Sequence, residues 1–117
     1  MTQIPSGASP YFEAGIYLPM LLIILEKDYL LFEQGNFKFK KPYLHLLNET
    51  KTRIEQELKK TKAYFNCNQM RLTRGNTDEF FTEYLFYYKD FMECRRYSNI
   101  RLRNFCEQLL IQYMENR

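Results

Sequence analysis

Glycine is scarce in this chain, with four residues among 117, and histidine occurs once. The GxxxxGK[ST] phosphate loop, the GxGxxG turn, the GxSxG elbow and the HExxH metal helix are all missing, so no common catalytic signature is present. Cysteine is also sparse. Cys67, Cys94 and Cys106 are odd in number and widely spaced, and no basic start with an apolar core precedes them, which speaks against a secreted disulfide framework. They read as reduced thiols of a cytoplasmic protein. Charge of one sign is missing too: the formal net charge of +3 falls well short of a dedicated nucleic-acid binder. The longest apolar run, Ile16 to Leu25, is about half the roughly 20 residues needed to cross a bilayer and contains Pro19, so no membrane span is expected.

What the chain does have is ring surface. Ten Phe and ten Tyr occur, many of them in FFTEYLFYYKDFMECRRY from Phe80 to Tyr97. Side chains that combine large apolar area with polar tips are costly to leave in water and useful at interfaces. A domain of this size buries about two-thirds of its extended-chain surface, so twenty such rings are many to hide in one monomer. A hydrophobic fraction of 45% with 26% charged residues is that of a folding chain, and the length fits one domain. Residues 1–13, with MTQIPSGASP at their start, read as a flexible lead, and 14–117 as a single domain.

Proline marks the first helix starts. Pro19 opens a helix that runs through Phe32 to a stop at Gly35. Its apolar character extends most of the way round, which predicts a central helix with only Glu26, Lys27, Asp28 and Glu33 reaching water. NFKFKK, residues 36–41, alternates Phe with Lys as a short half-buried strand or extended loop does. Pro42 starts a second, amphipathic helix whose Tyr43, Leu47, Ile54, Leu58 and Phe65 share one face, ending near Tyr64. Ser98 or Asn99 caps a last helix with Leu102, Phe105, Cys106, Leu109, Leu110 and Tyr113 on one side.

Between them, the turn chemistry of Arg74-Gly75-Asn76-Thr77-Asp78 separates NQMRLT from FFTEYLFYY and predicts a β-hairpin. Alternation places Phe80, Thr82, Tyr84, Phe86 and Tyr88 on one face and Phe81, Glu83, Leu85, Tyr87 and Lys89 on the other. The rival reading is a helix over 77–95. The expected fold is therefore α+β, with two long helices, a β-hairpin and a C-terminal helix in one compact layer arrangement. An all-α, four-helix bundle-like fold is the alternative.

Candidate chemistry is thin. His45 has no neighbouring ligand spacing and reads as a solvated histidine, and no cofactor or metal is expected. Cys94, beside Arg95 and Arg96, is the thiol most favoured as a thiolate if exposed. Asp78 with Glu79 and Asp90 with Glu93 read as solvated turn carboxylates. The preferred function is a non-catalytic binding or regulatory module that associates with a second copy or another protein. Its contact residues are expected to be Phe80, Phe81, Tyr84, Phe86, Tyr87, Tyr88 and Phe91. The alternative is a nucleic-acid-binding regulator of winged-helix type using Lys38, Lys40, Lys41, Arg71, Arg74, Arg95 and Arg96.

Overall fold

The computed structural model describes residues 4–115 and is an α+β protein. A short 3-10 turn, Ser6–Ala8, leads into α1 (Ser9–Gln34), followed by α2 (Lys41–Cys67). Three strands, β1 (Met70–Thr77), β2 (Phe81–Tyr88) and β3 (Phe91–Ser98), form an antiparallel sheet in that order, and α3 (Asn99–Glu115) closes the chain.

The helix starts differ from the sequence reading. Of the lead expected over 1–13, residues 1–3 lie outside the described residues, and the rest is structured: α1 begins at Ser9, with Ile4, Ala8 and Phe12 in the core. Pro19 lies inside α1 rather than at its start. Its missing N–H and its ring both fall on the carbonyl four residues earlier, that of Gly15. Gly15 packs closely on its neighbours, since a Cβ there would stand 3.1 Å from Leu72 Cδ2 and 3.2 Å from Phe65 Cζ. Packing at this point holds the helix through the defect. Residues 36–40 form a loop, not a strand, and Lys41 already belongs to α2.

The hairpin is present in the expected phase. Thr82, Tyr84 and Phe86 are buried, while Phe81 is exposed and Glu83, Leu85 and Tyr87 are half-buried on the opposite face. A register shift between Arg74 and Thr77 bulges β1 at Gly75 and Asn76. The Asp78 carboxylate accepts hydrogen bonds from the N–H groups of Phe80 and Phe81, both at 2.8 Å, and thereby fixes the turn. Beyond the hairpin, β3 is an additional strand that no sequence signal marks. Its link to β2 is Lys89-Asp90, in which Lys89 takes a φ of 54° where a glycine is usual.

Phe12 on α1 stacks on Phe86 of β2 and meets Phe65 of α2, so the inner face of the sheet sits on the first turns of α1 and the last turns of α2. Phe12, Ile16, Leu21, Leu25, Ile54 and Phe86 make the centre of the core. α3 is attached by Tyr17 against Phe105 and by Arg53, whose guanidinium donates to the Tyr113 carbonyl at 2.7 Å. The molecule measures 58 × 33 × 18 Å with a radius of gyration of 16.4 Å, against roughly 13 Å for a compact domain of this length. The length comes from α1 and α2, which are long helices paired with each other.

Candidate interaction surfaces

The seven aromatic residues expected to form a contact surface are divided by the sheet. Tyr84 and Phe86 are core residues, 9% and 0% exposed, and so cannot be contact residues. The reason is strand alternation: the face that carries them is the one laid on α1. Phe80, Phe81 and Phe91 are exposed, and Tyr87 and Tyr88 are half-buried. On the outer face Arg96 lies over the Phe81 ring and Arg71 over the Tyr87 ring, each 4.2 Å from the centroid. These pairs cover part of the aromatic surface with cations from the neighbouring strands.

The seven cations of the nucleic-acid reading are scattered. Lys38, Lys40 and Lys41 are on the α1–α2 loop and the start of α2, Arg71 and Arg96 are on the outer face of the sheet, and Arg74 is in a cleft beside α3. Arg95 points inward, where it pairs with Glu93, donates to the Ser9 hydroxyl at 3.3 Å and lies over Phe86. No single basic face collects them.

The cleft, of about 570 Å³, lies between α1, α3 and the β1–β2 ribbon. Its wall carries a polar knot in which Thr82 donates to Asn99 Oδ1 and shares a hydrogen bond with Thr77, both at 2.7 Å. Asn99 Nδ2 in turn donates to the Asp78 carbonyl, which anchors the start of α3 to the hairpin turn. Arg74 and Arg103 line the same cleft as Asp28 and Glu107, so its charges balance. Cys106 lines it as well, but burial pushes its thiol pKa up and disfavours a nucleophilic thiolate. Burial also pushes the Tyr17 hydroxyl up to about 12, with the Glu13 carboxylate adding to the effect. The buried Tyr97 hydroxyl has no hydrogen-bond partner among the described residues. His45 is an exposed residue paired with Glu49 at 2.9 Å along one turn of α2. Cys67 and Cys94 are exposed free thiols, and Arg95, the first cation after Cys94, turns to the opposite face of the sheet. Among the described residues, no three His, Cys, Asp or Glu side chains gather as a metal cluster would require.

Two further surfaces stand out, and of these the sequence reading named only the lysines of the second. One is the flank of α1. Leu18, Leu21 and Leu25 turn into the core, yet Ile23, Ile24, Leu30 and Leu31 are 56%, 39%, 48% and 67% exposed. Positions 23, 24, 30 and 31 share one helical stripe, interrupted by Lys27. The expectation of a central helix is therefore corrected: α1 is apolar on two sides, and in its C-terminal half only one is covered. The stretch Ser6–Gln34, with a mean hydropathy of 1.5 in its most apolar window, is by length and composition long and apolar enough to cross a membrane. No unbroken run marks this, because the apolar residues of the helix continue on both sides of its few polar ones.

The other surface is the loop itself. Phe32, Phe37 and Tyr43 form a ring cluster with centroids 5.0 to 5.7 Å apart, which folds the loop back on the helix ends. A Cβ on Gly35 would overlap the Phe37 ring, so the bend depends on glycine there for space. Lys40 Nζ closes the bend by donating to the Glu33 carbonyl at 2.8 Å. Phe39 is left outside the cluster, 67% exposed.

Compared with known proteins, the chain matches the model of a family described as YhjD protein over residues 4–117. It is 28% identical over 102 residues to the YhjD protein of Bacillus subtilis (strain 168), covering 87% of this chain and 85% of that relative. No solved structure matches it.

Proposed function

The chain belongs to the YhjD protein family, and on the geometry of its surfaces we propose that it is a non-catalytic binding module that works by protein association, with a second copy of itself as the first occupant. The observation that carries this reading is the bare stripe of α1, where four aliphatic side chains stand in water on a helix whose opposite side is core. Eight of the twenty Phe and Tyr, namely Tyr11, Phe37, Phe39, Tyr43, Phe80, Phe81, Phe91 and Phe105, are exposed as well. Contiguous apolar surface of this kind marks contact sites in soluble proteins. A helix with two apolar faces is satisfied when a further helix packs on the second, as in helical bundles. A two-fold pair of this chain supplies such a helix, because the same stripe on each copy is its own partner.

The contact surface is thus moved from the aromatic strand to α1. Solution mass tests it. The protein should weigh twice its 14.4 kDa chain mass at micromolar concentration, and Ile23→Arg with Leu31→Arg should reduce it to one chain without loss of helix signal. A single-chain mass at high concentration for the unmodified protein would sink the reading. The nucleic-acid alternative is checked by binding to mixed DNA and RNA across a salt series, where a steep loss of affinity with salt is its signature. The scatter of Lys38, Arg71, Arg74, Arg95 and Arg96 over separate surfaces weighs against it.

A further inference from the structure

We infer that the α1–α2 loop is a docking tip for an anionic lipid surface, a second contact site independent of the α1 stripe. The local sequence is cationic: residues 34–48 contain Lys38, Lys40 and Lys41 and no Asp or Glu. Acid-free stretches with cations also occur at 58–77 and 94–106, but they lie almost wholly in helices and strands, whereas Lys38 and Lys40 are on a loop. In the fold this loop becomes one end of the helical hairpin. Phe12 packs under the sheet at the start of α1, and the loop follows the helix's last residue, Gln34, roughly 33 Å further along at 1.5 Å per residue. The sheet and α3 leave it uncovered, as the exposure of Phe37, Phe39 and Tyr43 records.

The arrangement of rings and cations fits a bilayer interface. Phe37 and Tyr43 are fixed by the Phe32 cluster and Gly35, so the loop holds its shape and exposes Phe39 at no further ordering cost. Lys38 and Lys40 flank Phe39 in sequence, and Lys38 Nζ sits 5.8 Å from its ring centroid. Interfacial segments combine these features: aromatic side chains enter the headgroup boundary while lysines remain at the level of the phosphates. Each lysine close to an anionic surface contributes about a fivefold gain in binding. Nucleic acid also attracts the lysines, but it offers no apolar phase for Phe39.

α1 is committed to the core through Phe12, Ile16, Leu21 and Leu25, so spanning the bilayer would strip those contacts, whereas surface docking keeps them.

Co-sedimentation of the full chain tests the inference, using vesicles of phosphatidylglycerol mixed with phosphatidylcholine and vesicles of phosphatidylcholine alone. Binding is expected to the mixed vesicles only, weakening as salt is raised. Replacing Lys38, Lys40 and Lys41 by Gln should weaken it about a hundredfold, and Phe39→Ser about tenfold. Both variants should retain the helix signal and the solution mass of the unmodified protein, so a failure here is separate from a failure of self-association. Equal binding to both vesicle types, unaltered binding by both variants, or no vesicle binding at low salt would each overturn it. Capture of duplex DNA in place of vesicles would overturn it in favour of nucleic acid.

Discussion

The rings of Phe12 and Phe86 stack with centroids 4.4 Å apart and planes 8° from parallel, and neither ring reaches solvent. One belongs to the stretch that read as a flexible lead and the other to the stretch that read as a contact surface. Each supplies the other's burial, and together they seat the sheet on α1. Phe86→Ala should therefore destabilise the protein by about 3–5 kcal/mol, the range for an emptied aromatic core site. Tyr87→Ala, on the outer face, removes only a half-buried ring and its contact with Arg71 and should cost about 1 kcal/mol or less. Urea denaturation of the two variants measures the contrast, and equal losses would show that the faces are assigned wrongly.

Thr82 is a polar residue within an apolar face, and its two hydrogen bonds explain its place there. Thr82→Val keeps the shape but leaves Asn99 Oδ1 and the Thr77 hydroxyl without their shared partner, a loss of about 1–3 kcal/mol. Thr82→Ser should restore most of it. Because the same knot holds the first residue of α3, hydrogen exchange should quicken first at the amides of that helix's opening turn in the valine variant.

Asp78 makes the hairpin turn sensitive to acid. The N–H groups of Phe81 and Phe80 hold its pKa below the ordinary 3.8. A carboxyl with a lower pKa folded than unfolded binds its proton less readily in the folded state, so its contribution is present above 3.8 and is lost as pH falls through the folded value. Asp78→Asn retains an acceptor oxygen and removes the titration. The stability difference between the two proteins should shrink as pH is lowered from 5 to 2, an interval of about three units around the carboxylate range. A difference that stays constant over that range would contradict the assignment.

The thiols should separate into two classes. Cys67 and Cys94 are exposed, and Cys106 is 3% exposed with its pKa pushed up by burial. A thiol reagent at neutral pH should label two groups quickly and the third only as the protein unfolds. Three fast reactions would place Cys106 outside the core.

Much of the framework was legible because its signals are local. The repeat of Leu47, Ile54, Leu58 and Phe65 specifies an amphipathic helix, and α2 runs Lys41–Cys67. The alternation of Thr82, Tyr84 and Phe86 after the turn at Asp78 specifies a strand with one inner face, and the burial of those three residues follows it. Where the reading went astray, the missing information was not local. Pro19 stops a helix by its own chemistry, and only the packing of Gly15 on Phe65 and Leu72 carries α1 through it. β3 places Glu93 and Arg95 on the inner side and Met92, Cys94 and Arg96 on the outer, a pattern with no apolar period, so pairing with β2 is what makes it a strand.

The amino-acid order alone determined the helical and extended periods, the turn at Asp78 and the excess of ring surface over what one small interior absorbs. The tertiary structure decided which of that surface is hidden: Tyr84 and Phe86 inside, the stripe from Ile23 to Leu31 and the Phe39 tip outside. The physical reason is one of range. Periodicity records relations between residues two to four positions apart, whereas the choice between two equally apolar faces is made by partners such as Phe12 and Phe86, seventy-four positions apart in the chain (86 − 12 = 74).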